Sequence, residues 1–405
     1  MKSFEPPARL LMGPGPSETP PRVLQAMARP TIGHLDPAFV QLMDEVRGGL
    51  SRLFRAPDHA CLPLSGPATL AMEAAMANLL EPGDIAVVAV NGVFGARLAE
   101  MAGRFGAEVV RVEHAWGEPV DPAKVEAALW ARRAKLLAFV QAETSTGVHT
   151  EPGPLCALAR EHGALSVVDC VTAVGGVPVR AAEWGADVLY AGAQKCLSAP
   201  PGLAPFALGA RAREAIRARK TPPRTWLNDF GLLMDYWDGP GGGRSYHHTA
   251  PVNALYGLHE ALVAVFEEGL EARFVRHARM HAALAAGLEA LGLELPVAPE
   301  HRLPQLNLVS APAGVDEAAA RAAMLARFGV EIGAGLGAFK GRAWRIGLMG
   351  AGATPRHVRL TLAALGDALA QQQPHSRVQD ALDAADAVLD AAPAAAPLAP
   401  SRPAA

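Results

Sequence analysis

Several things are scarce in this 405-residue chain, and each scarcity removes a class of function. No apolar stretch reaches the ~20 residues that cross a bilayer. The start, Met1-Lys-Ser-Phe-Glu-Pro-Pro, lacks an apolar signal core, and the end, Ser401-Arg-Pro-Ala-Ala, is not a Ser-Lys-Leu peroxisomal address. Only four cysteines occur (Cys61, Cys156, Cys170 and Cys196), none closely paired, which predicts reduced thiols and a cytoplasmic setting. Charge is balanced at a formal −3, with no basic stripe for nucleic acid and no like-charge run for an interaction tail. No repeat of fixed period is visible. What is present is a chain 50% apolar, long enough for two domains or for one large domain with an appendage.

Proline and glycine crowd residues 1–22, notably at Gly13-Pro-Gly-Pro16, so this stretch reads as an extended arm. Beyond it, apolar runs alternate with helical patterns. Strands are expected at Ile85–Val90, Glu108–Val112, Leu136–Val140, Leu165–Asp169, Val188–Gly192 and Pro205–Leu208. Helices are expected at Thr69–Leu80, Gly95–Phe105, Pro122–Arg133 and Pro154–His162. Continuous rather than alternating apolar strands belong to a sheet covered on both faces. The alternation predicts βαβ units, with ligands at the carboxyl ends of the strands. This large domain is read as 23–265.

A helical pattern from Pro251 to Gly292, broken near Gly269, bridges to a smaller α+β unit read as 266–372. There, strands are expected at Gln305–Ser310 and Ala343–Leu348, with helices at Asp316–Phe328 and from Pro355. Residues 373–405 turn to Gln, Ala and Pro; Ser376–Ala391 reads as a loose amphipathic helix and 392–405 as disordered.

The chemistry centres on Lys195, in Ala191-Gly-Ala-Gln-Lys-Cys-Leu197, and on Asp169, which ends an apolar run twenty-six residues earlier. Small and apolar flanks would desolvate the lysine, depress its pKa and favour the neutral amine. A neutral lysine can carry pyridoxal phosphate covalently, and a buried acid can keep the cofactor's ring nitrogen protonated. Ser65-Gly-Pro-Ala-Thr69 leads into a helix whose N-terminal N–H groups suit a phosphate, although an ordinary helix start explains the same residues. Glu143-Thr-Ser-Thr-Gly147 follows another strand, so three strand ends offer polar groups to one crevice. Arg345, within the apolar strand Trp344-Arg-Ile-Gly-Leu348, seeks a carboxylate, either a substrate's or a structural partner's.

Tyr246-His-His-Thr249 follows the glycine-rich Gly239–Gly243. No acid or cysteine completes a metal site at these histidines, nor at His277 and His281, which read as a solvated helix face; no metal is expected. Gly333, Gly335 and Gly337 read as a loop rather than a dinucleotide fingerprint.

Together these residues resemble the class V aminotransferases of the alanine–glyoxylate and serine–glyoxylate group, from Leu10 to about Leu369. The motifs that carry the resemblance are Gly13-Pro-Gly-Pro-Ser17, Glu143-Thr-Ser-Thr-Gly-Val148, Gln194-Lys195, Ala199-Pro-Pro-Gly202, Tyr246-His-His-Thr249 and Arg345-Ile-Gly-Leu348. The resemblance implies an α/β protein of pyridoxal-phosphate-dependent transferase fold type I, with a large, mostly parallel, seven-stranded-type sheet and a smaller C-terminal α+β domain. It implies that Lys195 bears the cofactor, Asp169 meets its ring nitrogen, Phe94 stacks on the ring, Val171 covers the other face and Thr144 hydrogen-bonds it. Gln194 and the loop Ser65, Gly66, Pro67, Ala68 and Thr69 would hold the phosphate. Tyr246 and Thr249 would reach the phosphate of a neighbouring subunit in a homodimer; Arg345, with Gly13 nearby, would bind the substrate carboxylate.

One departure stands out. Relatives usually carry Ser-Gly-Ser/Thr-Gly and then a polar residue, where this chain has Pro67 and Ala68. Proline removes a hydroxyl and a backbone donor, which predicts weaker cofactor retention. The expected activity moves an amino group from alanine or serine to glyoxylate or a similar small oxo acid. Ureidoglycine–glyoxylate, serine–pyruvate or phosphonate aminotransfer, a lyase, and a non-catalytic cofactor-binding relic are the alternatives. A cysteine desulfurase, also of this fold, would need a nucleophilic cysteine on a mobile loop, and none of the four has that setting.

Overall fold

A computed structural model describes residues 1–237, 244–373 and 377–391. The Gly239–Gly243 loop, Ser376 and the 392–405 stretch lie outside the described residues.

Seven strands form the main sheet, in the order Ala60–Ser65, Leu203–Leu208, Val188–Tyr190, Leu165–Asp169, Leu136–Val140, Ile85–Val90, Glu108–Glu113. All run parallel except Leu203–Leu208, which is antiparallel to both of its neighbours. Five of the strands are buried at every position or all but one, as their largely apolar character demands. Helices Ala68–Leu79, Val93–Arg104, Pro122–Ala131 and Pro152–Glu161 lie within a residue or two of expectation. The expected strand through Gly192 stops at Tyr190, and the residues after it turn toward Lys195. Helix Pro37–Phe54 packs against the sheet; Asp36 caps it by accepting from the Ala38 N–H, and Pro37 sits in its first turn.

Gly269, at φ 84°, divides the long helical pattern into Val252–Glu268 and Leu270–Ala290. A second apolar core forms beyond it, around an antiparallel sheet ordered Leu306–Ser310, Ala343–Gly347, Gly333–Ala334. Thus Gly333 belongs to a short strand and Gly337 opens a single 3-10 turn, where the sequence suggested only loop. Helix Val378–Asp390 is packed rather than loose: Ala381, Ala385 and Leu389 are buried. The N-terminal arm also joins this core. Leu10–Leu11 pairs in parallel with Val330–Glu331, and Leu10 and Met12 are buried there. No helix among the described residues is long and apolar enough to cross a membrane.

Candidate active site

The carboxyl ends of the main-sheet strands open into a cleft with about 540 Å³ of free space, part of it open to solvent. Asp169 ends its strand at the cleft floor and is only 3% exposed. Its Oδ1 accepts from the Val171 N–H at 2.9 Å, and its Oδ2 accepts from the Tyr190 hydroxyl at 2.9 Å. Burial pushes its carboxyl up to about 7; these two donors and Lys195 oppose the rise, while the charge of Glu143 adds to it.

Lys195 lines the same cleft, at the turn that follows Tyr190. Burial depresses its pKa to about 8, with Arg345 adding to the fall. Its ammonium donates to the Pro14 carbonyl. The Gly13–Pro16 arm therefore lies across the lysine, and a side chain at Gly15 would collide with it: a Cβ there would sit 2.4 Å from Nζ.

Phe94, Thr144, Val171, Gln194, Pro67, Ala68 and Thr69 all line this cleft. Pro67, in extended conformation, precedes helix Ala68–Leu79 and provides no side-chain cap. The N–H groups of Ala68 and Thr69 find no partner among the described residues, leaving two donors at the positive end of a helix. The Gln194 side-chain oxygen is buried and unpartnered; turned over, the same amide offers a donor.

Other expected residues stand apart from the cleft wall. Ser65 is turned away, its hydroxyl 3.1 Å from His248 Nε2, and Gly66 is packed against Leu70. Tyr246, at 63% exposure, and Thr249 are on the surface. Arg345 is buried just behind the wall, donating to the carbonyls of Ala334 at 2.7 Å and Thr144 at 3.3 Å. Among the described residues no ion pair involves it; burial lowers its pKa to about 10, opposed by the charge of Glu143. Gly13 backs the same strand: its carbonyl approaches Gly347 so closely that a Cβ there would sit 2.0 Å away.

Two sequence readings are corrected. Glu143 does not offer its carboxylate to the crevice. It is fully buried and accepts from the N–H groups of Phe94 (3.0 Å), Gly95 (3.2 Å) and Ser145 (3.1 Å), and from the Ser145 hydroxyl (2.5 Å). A negative group at a helix N-terminus is favoured there, and it fixes the backbone that carries Phe94. Nor do His277 and His281 form a solvated face. His277 is fully buried, its Nδ1 bonded to the Arg273 carbonyl and its Nε2 accepting from the Gly350 N–H. His281 binds Asn307.

Three participants escaped the sequence reading. Tyr190 looked like an ordinary strand residue. Arg97, one helical turn beyond Phe94, lines the cleft, with its guanidinium 5.0 Å above the Phe94 ring and 3.5 Å from the Thr69 hydroxyl. Its spacing from Phe94 was the available signal. The third is a clasp on either side of Gly269. Arg273 donates to Glu268 and to the Gly175 and Cys196 carbonyls, while Arg276 donates to Glu268 and to the Gly350 and Ala353 carbonyls. One carboxylate thus ties the turn next to Lys195 to the segment that follows the Arg345 strand.

All four cysteines are buried and free, and burial raises each thiol pKa, so none is a ready nucleophile. No cluster of three or more His, Cys, Asp or Glu placed to hold a metal occurs among the described residues.

A mostly parallel seven-stranded sheet, a cleft at its carboxyl ends and a second α+β core together define a pyridoxal-phosphate-dependent transferase of fold type I. Residues 9–349 match the family Aminotransferase class-V, and the chain belongs to it. It is a pyridoxal-phosphate-dependent aminotransferase. It is 40% identical to the alanine–glyoxylate aminotransferase of Drosophila melanogaster, over 90% of this chain and 93% of that one. It is 37% identical to the (S)-ureidoglycine–glyoxylate transaminase of Bacillus subtilis, over 94% and 95%. Among solved structures, the alanine–glyoxylate aminotransferase from Nostoc sp. superposes with a TM-score of 0.89 at 43% identity, covering 91% of this chain and 97% of that one. The Bacillus subtilis ureidoglycine–glyoxylate enzyme superposes at 0.94 and 37%, covering 96% and 100%.

Proposed function

We propose that this enzyme transfers the amino group of a small amino acid, alanine or serine, to glyoxylate or a comparable small oxo acid, using Lys195 and Asp169 as its catalytic pair. The observation that carries the site assignment is one cleft holding a lysine depressed to about 8 and a buried acid held by two donors. The residues present fit the cofactor. The free N–H groups of Ala68 and Thr69, the Thr69 hydroxyl and the Gln194 amide suit its phosphate, and Phe94 and Val171 suit the two faces of a flat ring. Bound there, pyridoxal phosphate supplies an electron sink for the charge left when the substrate's α-proton departs.

Around that chemistry the chain's own groups have separate tasks. Lys195 would anchor the cofactor, and its amine would take and return the substrate's α-proton as base and acid. A depressed pKa keeps a useful share of its amine neutral near pH 7 to 8. Asp169 would hold a proton at the cofactor's ring nitrogen. Thr144 would orient the ring, and Arg345, which forms no ion pair among the described residues, would receive the carboxylate of the substrate. Glyoxylate as acceptor is supported by the names of both relatives, alanine–glyoxylate and ureidoglycine–glyoxylate. A ureidoglycine donor is the second reading, favoured by the 0.94 superposition on the Bacillus enzyme.

We further propose a homodimer in which Tyr246 and Thr249 complete the partner's phosphate site. Their exposure, and the cleft lining that does not include them, support this. Four buried, unpaired thiols accord with a cytoplasmic setting.

The test is borohydride reduction of the yellow holoenzyme followed by peptide mapping, then an absorbance screen of amino donors against oxo-acid acceptors. Label on Lys195 and turnover with alanine or serine and glyoxylate are expected. Label on another lysine, or a silent screen, would overturn the proposal.

A further inference from the structure

Tyr190 ends the three-residue strand Val188–Tyr190, and the parallel register places it directly beside Asp169. The two side chains therefore share one face of the sheet. The phenol ring is fully buried and stacks on Phe206, with centroids 6.3 Å apart and planes 16° apart. Its hydroxyl has one hydrogen-bond partner among the described residues, Oδ2 of Asp169. Burial and the adjacent carboxylate keep that phenol protonated well above its usual range, so it remains a donor at every working pH.

The arrangement leaves Asp169 with one fixed donor on each oxygen, Val171 N–H on Oδ1 and Tyr190 O–H on Oδ2. An ionised carboxylate can accept about four hydrogen bonds, so capacity remains on the side that faces the cleft. Several other groups act on this carboxylate. Glu143 repels its charge, Lys195 attracts it, the Cys170 thiol beside it is neutral, and Arg97 bears on the phenol from across the cleft. Burial works against ionisation, and the protein sets against it the two donors and the charge of Lys195.

On the reading that this cleft holds pyridoxal phosphate, we propose that Tyr190 is a positioning residue that keeps Asp169 ionised and aimed, so that the proton they share resides on the cofactor's ring nitrogen rather than on the carboxylate. When an acid and a pyridine share one proton in a dry site, the proton goes to the nitrogen only if the anion is stabilised. The Val171 N–H alone fixes one oxygen and leaves the other free to take the proton. A phenol on Oδ2 occupies that position.

Tyr190→Phe isolates the claim, because the ring and its stacking on Phe206 are retained and only the hydroxyl is lost. The full-length apoprotein is titrated with pyridoxal phosphate and, separately, with the analogue carrying CH in place of the ring nitrogen. The bound cofactor, labelled with nitrogen-15, is then followed by NMR across pH. The variant should bind pyridoxal phosphate about tenfold more weakly, as loss of one charge-assisted hydrogen bond predicts. It should bind the carbon analogue as wild type does, and its ring-nitrogen signal should move toward the unprotonated position at neutral pH. Phe206→Leu, which disturbs the packing alone, should lower thermal stability and leave the nitrogen signal in place. Equal weakening toward both compounds, or an unmoved nitrogen signal in Tyr190→Phe, would overturn the role given to Tyr190. Wild-type protein that binds neither compound would overturn the cofactor-site reading and this inference with it, and is recognised by failing before any variant is compared.

Discussion

Burial shifts both Asp169 and Lys195 toward their neutral forms, and the folded apoprotein bears the cost of ionising them. The carboxyl rises from 3.8 to about 7, so the folded chain binds that proton more tightly than the unfolded chain does. Its contribution to stability is therefore present below about pH 4 and lost as pH climbs toward 7, a difference of about 4 kcal/mol at most. Asp169→Asn should flatten the pH dependence of apoprotein unfolding over that window and raise its midpoint at pH 8 while abolishing turnover; an unchanged pH profile in chemical denaturation would count against the assignment. The lysine behaves in mirror image. Its pKa falls from 10.5 to about 8, so its cost is present below pH 8 and disappears as pH rises to 10.5. Lys195→Met should stabilise the apoprotein at pH 7, by up to about 3 kcal/mol, and the gain should fade by pH 10. At this scale the sequence was informative about chemistry and silent about second partners. Lys195, Asp169 and Arg345 announced themselves as polar groups in apolar runs. The Tyr190 phenol and the Glu143 carboxylate did not, because nothing in a linear sequence says which strand ends become neighbours.

The helix Ala68–Leu79 starts without a side-chain cap and with proline where a hydroxyl would serve a phosphate. Its remaining offer is two backbone N–H groups and the Thr69 hydroxyl. Pro67→Thr combined with Ala68→Gly should tighten pyridoxal phosphate binding by about tenfold, one charge-assisted hydrogen bond's worth; equilibrium titration of the apoprotein showing no gain would refute it. Helix Pro37–Phe54 shows the opposite economy: Asp36→Ala should cost about 1 kcal/mol in urea unfolding with activity retained. Most elements of the main sheet were legible because parallel strands buried on both faces must be apolar throughout, and their bounds followed within a few residues. Val378–Asp390 was readable as amphipathic but not as packed. An alanine-rich face carries little apolar signal, and its burial depends on the helices it meets.

Across the whole molecule, the two cores meet at the cleft, and the Glu268 clasp spans their junction. Arg273 is buried there and Glu268 and Arg276 are half-buried, so removing one partner leaves a poorly solvated charge unpaired. Glu268→Gln should therefore raise KM for the amino donor more than it lowers kcat, because the segment after Arg345 loses its tether to the turn carrying Lys195; equal loss in both would argue for general destabilisation. The dimer is testable at the same scale. If Tyr246 and Thr249 serve a partner's cleft, cofactor should dissociate on dilution in step with the dimer, as sedimentation and absorbance together would report.

The pairing of Leu10–Leu11 with Val330–Glu331 joins positions some three hundred residues apart, and the loop that follows it closes over Lys195. Contacts so distant along the chain form slowly, since nearly the entire polypeptide must be in place before they can hold. On a ribosome, the Leu10–Leu11 arm must wait until Val330–Glu331 has emerged, so a nascent chain cut short of that strand has no finished lysine pocket and is catalytically mute.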